Sequence, residues 1–430
     1  MEDPPVAVTL RFMREVNTMA VLARLRENES LIVSEIARAT GLSRQAVTRV
    51  LDELQSQGLV EYLAPVRPSR GSGRPAQAVR LRAEAGYVVG GLIDPQGIHL
   101  AVADLRGTIR ASSHVPLGAA PPDQHVLGLL VRETEAVLER ANITVADVWS
   151  ATIGAPGIVD RATGVIRTAP SMPMLTGDVL VETLSKHLAC TVHLDNDLKL
   201  ATRGELWRGS AARVRHLVLV HWGERVGAGI VIDGELHRGA SNDAGDLGFL
   251  DILASGATTI PGYGRFESWV GVRALAQLVA DELEAAGDPE RAGVIHQEGE
   301  GALDAILTGI GQNETPYLHA VDRLARRFSH GIVALRTILD PELVILSGPL
   351  AQVGQPLLDA LDRALAAQPL VPPALQISAL GRDAVVHGAL RHSLDLVEAR
   401  GYTPIERRGS ASSANLLASP VLADEREVPS

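Results

Sequence analysis

From Tyr87 onward the sequence alternates between strand patterns and helix patterns, and this succession occurs twice. In the first round, β-rich runs at 87–93, 98–104 and 108–115 precede a helical pattern over 122–140 and a strand at 148–153. The second round has strand patterns at 191–194, 217–220, 228–232 and 343–346, with helical patterns around 268–284 and 317–339. Two such rounds predict two α/β lobes with a cleft between them. Ligands of such folds usually bind between lobes or at the carboxyl ends of strands.

Length and composition place the chain among soluble proteins of several domains. Its 430 residues exceed what one hydrophobic core usually serves, so we expect two or three domains. Hydrophobic residues make up 46% and charged residues 21%, which are ordinary globular values. No apolar run reaches the ~18 residues that cross a bilayer, and the N-terminus lacks a signal-peptide pattern, so a cytoplasmic protein without a membrane partner is expected.

The charge is unevenly distributed along the chain. A formal net charge of −11 disfavours nucleic acid as a partner, because binding phosphates requires cations. Residues 1–82, however, hold 12 arginines against 9 acidic residues, a balance of +3, and the remainder carries −14. This segregation suggests a nucleic-acid-binding head on an acidic body, although +3 over 82 residues is also compatible with chance.

The N-terminal segment has the pattern of a helix-turn-helix. Apolar residues at helical spacing predict a helix over 14–27 and a second, short helix from Ile32 that stops before Gly41. Ser43 then predicts the N-cap of a third helix, SRQAVTRVLDEL, which has one apolar stripe. The opposite face of this third helix carries Arg44, Gln45, Thr48 and Arg49.

The polar face of the third helix has the side chains that read a DNA major groove. Arginine can bond guanine, glutamine can bond adenine, and the hydroxyls of Ser43 and Thr48 can hold phosphates. An amphipathic helix with a merely solvated polar face would show the same pattern.

A basic hairpin follows and favours the DNA-binding interpretation. Strand patterns begin at Gly58 and at Ala78, and between them lies APVRPSRGSGRP. This segment predicts the wing of a winged helix-turn-helix, in which Gly73-Arg74-Pro75 can insert a guanidinium into a minor groove, with Arg70 close by. A flexible linker kept soluble by its arginines is the alternative.

Five stretches of the body and the Gly-Arg-Pro wing resemble, in order, the motifs of the ROK family (repressor, open reading frame, kinase). The body stretches are IGAPGIVD at 153–160, LDNDL at 194–198, AGIVIDGEL at 228–236, AGDLG at 244–248 and DPELVILSG at 340–348. The resemblance covers nearly all of 88–395, and the head looks like that of the family's transcriptional regulators. It implies an α/β fold in which an N-terminal winged helix-turn-helix is fused to a two-lobed, actin-like, sugar-kinase-like domain.

The resemblance also implies two phosphate loops, and both depart here from the family pattern. In the first loop, Leu92 occupies the place of an aspartate, and Asp94 and Pro95 replace two glycines. In the second, Glu224 and Arg225 stand where a threonine and a glycine are usual. A carboxylate repels phosphate and proline lacks an N–H donor, so we expect neither ATP binding, nor kinase activity, nor a cofactor.

The sugar-binding side is better preserved. By resemblance, Asp197 stands at the kinase base position and can still accept a sugar hydroxyl, while Asn196 matches a sugar-binding asparagine. Further effector-binding positions implied by the family are Asp246, Glu267 and Ser171, the last of which replaces an asparagine. These carboxylates could instead be turn formers and helix caps.

The family's zinc motif is missing from the sequence. Phe249 replaces a histidine that contacts sugar and zinc, and the segment ATTIPGYGR at 257–265 has no cysteine. The chain's only cysteine is Cys190, which can supply neither an internal disulfide nor a cysteine-based zinc site alone. We therefore expect no metal.

These patterns predict a DNA-binding transcriptional regulator, with repression of carbohydrate-related genes as the expected role. We expect a head over 1–82, an effector and dimerisation domain over 83–400 with a helical insert at 286–316, and a disordered tail over 401–430. The expected partners are operator DNA with an inverted repeat, a sugar or sugar derivative in the cleft, and a second copy of the chain. A sugar kinase with a regulatory head, and a DNA-binding dimer that needs no ligand, remain alternatives.

Overall fold

The head is a small three-helix domain closed by a short sheet. The computed structural model describes residues 10–64, 77–117, 123–160, 163–188, 190–251 and 259–402. The head elements are α1 (Leu10–Glu27), β1 (Leu31–Ile32), α2 (Val33–Thr40), α3 (Arg44–Ser56), β2 (Val60–Tyr62) and β3 (Ala78–Leu81). Gly41 ends α2 at a φ of 73°, a conformation that glycine adopts without a Cβ penalty.

The sequence correctly predicts the three helices and both strands that flank the wing. It assigns Ile32 to the second helix, whereas the structure places Leu31 and Ile32 in β1, which pairs with β3. The sheet order is β1-β3-β2, and the predicted DNA-contacting residues Arg70, Gly73, Arg74 and Pro75 lie outside the described residues.

The first lobe is a five-stranded mixed sheet with helices on both faces. It comprises β4 (Tyr87–Asp94), β5 (Gly97–Asp104), β6 (Ile109–Pro116), α4 (Asp123–Arg140), β7 (Val148–Ala155), β8 (Ile158–Asp160), β9 (Val165–Thr168), α5 (Val179–His187), β10 (Thr191–Asn196) and α6 (Asp197–Arg208). The order of the five strands is β10-β7-β4-β5-β6, with β7 parallel to both of its neighbours, and β8 and β9 pair separately as a two-stranded sheet. The polar residues that end β10 therefore lie at the carboxyl edge of the parallel strands.

The second lobe repeats the strand-then-helix arrangement. It comprises β11 (Leu217–Trp222), β12 (Val226–Ile232), β13 (Glu235–His237), α7 (Arg265–Val270), α8 (Val272–Ala285), α9 (Pro289–Glu298), α10 (Leu303–Gly311), α11 (Thr315–Leu339), β14 (Leu343–Ser347), α12 (Gln355–Ala366) and β15 (Ala374–Ile377). Its strand order is β13-β12-β11-β14-β15, and the buried rings of Trp222 and Phe328 stack at 3.6 Å in its core. The predicted insert at 286–316 is helical, as α9 and α10 show.

The last helix returns the chain to the first lobe. This helix, α13 (Asp383–Ala399), packs on the same sheet face as α6. The two helices meet at backbone distance, since a Cβ on Gly388 would lie 1.8 Å from the carbonyl oxygen of Leu200. A Cβ on Gly204 would lie 2.0 Å from the carbonyl oxygen of Ala384.

The folded body extends two residues into the predicted tail. Tyr402 is only 2% exposed, because it packs into the core shared by the head and the first lobe. The remainder of that prediction, 403–430, lies outside the described residues. Within the described part of the chain, no helix is both long and apolar enough to cross a membrane.

Candidate DNA interface and interlobe cleft

Helix α3 presents the predicted polar face to solvent. Its apolar stripe, formed by Val47, Val50, Leu51 and Leu54, is buried, and Arg44, Gln45, Thr48 and Arg49 are all exposed. No carboxylate of the described residues forms an ion pair with Arg44 or Arg49. Both guanidinium groups are therefore available to base edges or phosphates.

The two hydroxyls on this face differ in what they can donate. The Ser43 Oγ accepts a hydrogen bond from the Ala46 N–H at 3.2 Å, as a helix N-cap does, so its own proton remains available for a phosphate. The Thr48 hydroxyl donates to the carbonyl oxygen of Arg44 at 3.0 Å. Ser43 is accordingly the better placed of the two to hold a phosphate.

Asn196 and Asp197 lie together where β10 ends and α6 begins. The Asn196 Oδ1 accepts from the Lys199 N–H at 3.1 Å, and its Nδ2 donates to the carbonyl oxygen of Gly157 at 3.0 Å. Asn196 is thus a helix cap that also fixes the loop after β7.

The side chain of Asp197 has more hydrogen-bonding capacity left for a ligand than that of Asn196. Its Oδ1 accepts from the Leu198 N–H at 2.8 Å. Burial raises the pKa of Asp197 to about 6, with a smaller contribution from repulsion by Asp94 that the Leu198 hydrogen bond opposes. A partly protonated carboxyl group beside a cleft can both donate to and accept from a sugar hydroxyl.

An ion pair that the sequence did not reveal connects the two lobes. Arg238, which follows β13, donates to both oxygens of Asp195 at 2.9 and 2.6 Å, and also to Asn242 at 3.0 Å. Asn242 in turn donates to the carbonyl oxygen of Val159 at 3.0 Å. Burial alone would raise the pKa of Asp195, but the hydrogen bonds and charge of Arg238, with smaller contributions from His392 and the Asn196 N–H, together outweigh it and lower the pKa. Only the folded structure reveals this pair, since 43 residues separate its members.

The other three predicted effector residues occupy different environments. Asp246 is exposed in the second lobe, and burial of its carboxyl group together with repulsion by Asp243 raises its pKa. Ser171 is exposed on the segment between β9 and α5. Glu267 is buried, and its Oε1 accepts from the Gly264 N–H at 2.8 Å while its Oε2 accepts from the Val226 N–H at 3.1 Å.

Arg225, at the second loop position where the family has glycine, completes the environment of Glu267. Its Nη1 donates to the Glu267 Oε1 at 2.9 Å and to the carbonyl oxygen of Gly262 at 2.8 Å. Its guanidinium also stacks 3.9 Å above the Tyr263 ring. Both oxygens of the Glu267 carboxylate therefore already accept hydrogen bonds from the chain, and these bonds stabilise the conformation of the second loop.

The chain's own carboxylates occupy backbone donors in both loop regions. The Asp94 Oδ1 accepts from the N–H groups of Gln96 and Gly97 at 2.8 and 3.0 Å, and Arg382 pairs with both Asp94 oxygens at 2.9 and 2.8 Å. Glu224 accepts from the Arg273 N–H, in the first turn of α8, at 3.1 Å. The N–H groups of Gln96, Gly97 and Arg273 already donate to carboxylates of the chain. The two loop regions therefore do not fit a triphosphate, which would need free N–H donors.

The described residues also offer no evident metal site. Nowhere in the described ranges do three His, Cys, Asp or Glu side chains converge in a way that could hold an ion. Phe249, at the position of the family's histidine, is 65% exposed, and residues 252–258 lie outside the described part. Burial raises the pKa of the Cys190 thiol to about 12, so this group remains protonated.

A winged helix-turn-helix head on a two-lobed α/β body defines a DNA-binding regulator with a sugar-kinase-like effector domain. Residues 93–393 match the ROK family and residues 15–74 match the MarR family. The chain therefore belongs to the ROK family.

Both transcriptional repressors and sugar kinases are similar to this chain. A xylose repressor of Caldicellulosiruptor bescii is 23% identical over 383 residues, 88% of this chain and 95% of the repressor. A glucokinase of Thermotoga maritima is 25% identical over 261 residues, 56% of this chain and 80% of the kinase. The crystal structure of a ROK family transcriptional regulator, a homologue of the E. coli MLC protein, has a TM-score of 0.73 at 19% identity and covers 91% of this chain and 98% of that one.

Proposed function

We propose that this protein is a transcriptional repressor that binds operator DNA through α3 and its wing and responds to a sugar bound between its lobes. The observation that carries the proposal is the exposed face of α3, where neither Arg44 nor Arg49 has a carboxylate partner among the described residues. A helix of this kind, second in a helix-turn-helix, lies in the major groove of DNA. The xylose repressor matches nearly the whole chain, head included. A repressor that binds operator DNA would act in the cytoplasm.

For the sugar, we propose that Asp197 and Asp246 accept its hydroxyls. Support comes from their positions and electrostatics: Asp197 begins α6 of the first lobe, the charge of Asp246 in the second lobe acts on Lys199 of α6, and burial, only partial at Asp246, raises the pKa of each carboxylate. Asn196 and Glu267 would hold the surrounding backbone, since their side-chain oxygens already accept backbone N–H groups. Ser171 would lie at the exposed rim.

A thermal-shift series across neutral pentoses and hexoses tests the sugar site. One sugar should raise the melting temperature of the wild type saturably, because a ligand that binds only the folded state stabilises it. Asp197→Asn and Asp246→Asn should reduce that shift, and the exposed control Asp251→Asn should not. A wild type that no sugar stabilises would favour the alternative of a DNA-binding dimer that needs no ligand.

We further propose that the protein lacks kinase activity. Support comes from Asp94 and Glu224, whose carboxylates take the backbone donors that a phosphate would need. The rival, a sugar kinase with a regulatory head, rests on Asp197 at the base position and on the similarity to the glucokinase. Transfer of radioactive phosphate from ATP to any sugar, abolished by Asp197→Asn, would establish the rival.

The signal between cleft and head is proposed to travel through α13. At one end of this helix Arg382 pairs with Asp94 beside the cleft, and at the other Glu398 pairs with Arg26 of the head. A ligand that shifts Asp94 at the cleft side of the first lobe would thus displace α13 and, through Glu398, the head. In a homodimer it would change the separation of two heads and their fit to an inverted repeat, whose half-sites lie about one helical turn apart.

A further inference from the structure

A cavity of about 560 Å³ lies where the head meets both lobes. Its walls come from α1 of the head, from α6 and α13 of the first lobe, and from the turn between β12 and β13 of the second. None of the five predicted effector residues lines it. It is therefore separate from the sugar site proposed above.

The cavity is lined by more guanidinium groups than its carboxylates can pair. Arg203 and Arg391 both donate to Asp395, and Arg391 and Arg26 both contact Glu398. Three cations thus share two anions.

A fourth arginine of the cavity has no carboxylate partner among the described residues. Arg106 donates to the carbonyl oxygen of Glu29 at 3.0 Å. Of the two remaining acidic residues of the wall, Glu27 is paired with Arg24 at 2.8 Å, whereas Glu235 stands on the β13 side. The lining therefore retains a net positive charge.

The crowding of these cations is costly in the absence of a further anion. Burial and the neighbouring Arg391 lower the pKa of Arg26, so its positive charge is disfavoured where it lies. The Nε of Arg203 is buried and has no hydrogen-bond partner within the described residues. A buried donor left unpaired destabilises the folded state, and a hydrogen bond to a ligand oxygen would remove that cost.

The wall also offers an apolar surface. Trp207 lines the cavity beside Arg203, with the guanidinium of Arg208 held 4.3 Å from its ring centroid. An indole commonly packs against the C–H face of a sugar-like ring, and a carboxylate such as Glu235 can accept its hydroxyls.

We propose that this junction cavity binds a small phosphate monoester that carries hydroxyl groups, with Arg203 and Arg106 as the phosphate ligands. The guanidinium fork matches a phosphate in two parallel hydrogen bonds, which a lysine could not do. Because α1 forms one wall, the bound anion would join the head to the body. The binding site is independent of the proposed sugar site and of the role at DNA.

Isothermal titration of the full chain with glucose 6-phosphate, inorganic phosphate and glucose tests this site. Both phosphates should bind saturably and glucose should not compete with them. Tighter binding of the ester than of inorganic phosphate is expected, and Trp207→Leu should remove that difference. Equal affinity of the two phosphates would overturn the monoester as the ligand. Absence of saturable binding by either phosphate would refute the proposal.

Titration of single-residue variants shows whether the phosphate binds in the junction cavity. Arg203→Gln and Arg106→Gln should each weaken binding at least about tenfold, which corresponds to about 1.4 kcal/mol. The same change at Arg363, an exposed arginine of α12 paired with Asp322, should have no effect. The guanidinium of Arg106 donates only to a backbone carbonyl among the described residues, so Arg106→Gln should melt like the wild type. This variant keeps the test valid if Arg203→Gln fails to fold. Phosphate binding that survives both changes, or is lost instead in Asp197→Asn, would place the ligand elsewhere and overturn the proposal. Neither titration involves DNA, so failure of the proposed repressor role would leave this result unaffected.

Discussion

The Nη1 of Arg225 lies 2.9 Å from the Oε1 of Glu267 and converts a sugar-kinase loop position into a structural ion pair. The Glu267 side chain is 3% exposed while that of Arg225 is 44% exposed, so one partner is buried and the other half-solvated. Such a pair contributes more than a surface pair because the buried carboxylate cannot turn to water when its partner is lost.

A double-mutant cycle with Arg225→Met and Glu267→Gln measures this contribution. We expect a coupling free energy of about 1–2 kcal/mol in chemical denaturation. The matched control is the exposed pair of Arg265 and Asp251, also 2.9 Å apart, for which about 0.2–1 kcal/mol is expected. Equal coupling in the two cycles would show that Glu267 is not held by Arg225.

Substitution of Arg44 or Arg49 by alanine should weaken specific DNA binding. A side chain that reaches a base edge contributes roughly 1–3 kcal/mol, and its loss should also relax the preference at one position of the site. Arg24→Ala is the matched control, because Arg24 is an exposed arginine of α1 that pairs with Glu27. Fluorescence anisotropy with a bound operator fragment measures all three; unchanged affinity in both α3 variants would rule out the proposed docking.

Gly388→Ala should destabilise the protein by separating α6 from α13. The new Cβ would lie 1.8 Å from the carbonyl oxygen of Leu200, so the helices must move apart, and overpacking of this kind costs about 1–3 kcal/mol. The control is Gly293→Ala in α9, where no heavy atom lies within 4 Å and the higher helix propensity of alanine should stabilise slightly. Thermal unfolding of the two variants should therefore shift in opposite directions, and a shared direction would contradict the close packing.

Asp197→Asn should stabilise the protein at neutral pH and not at acidic pH. The folded-state pKa of Asp197, about 6, is above its ordinary value of 3.8, so the folded state binds the proton more tightly. Stability from this group is present below pH 4 and is lost as pH rises through 6. Asparagine lacks this ionisation, so the gain should grow between pH 4 and pH 7 to about 3 kcal/mol at most. Melting temperatures across this range test it, and a constant difference would mean that Asp197 titrates normally.

The sequence predicts the fold well because the relevant signals are local. Helical spacing and the Ser43 cap define α3, and apolar runs define most strands of both sheets. The short strand β1 was missed, since its two residues gain strand structure only by pairing with β3, far along the chain.

The site was only partly predictable for a related reason. Motif position makes Asn196, Asp197, Asp246 and Glu267 candidates for the sugar site, but it does not show which of their oxygens are already bonded within the chain. The pairs of Arg238 with Asp195, Arg225 with Glu267 and Arg382 with Asp94 join residues 43, 42 and 288 positions apart. Such pairs leave no periodic trace in the sequence, although the departures at Asp94 and Arg225 indicated where the family's chemistry had changed.

The central claim is that a sugar in the cleft controls sequence-specific DNA binding by the head. The direct measurement is the affinity of the full chain for a DNA site selected from a random pool, with and without the sugar that raises its melting temperature. We predict an inverted-repeat site bound at least ~10³-fold more tightly than random DNA, with binding weakened by the sugar in the wild type and not in Asp197→Asn. A pool that yields no preferred sequence, or an affinity that the stabilising sugar leaves unchanged, would contradict the account.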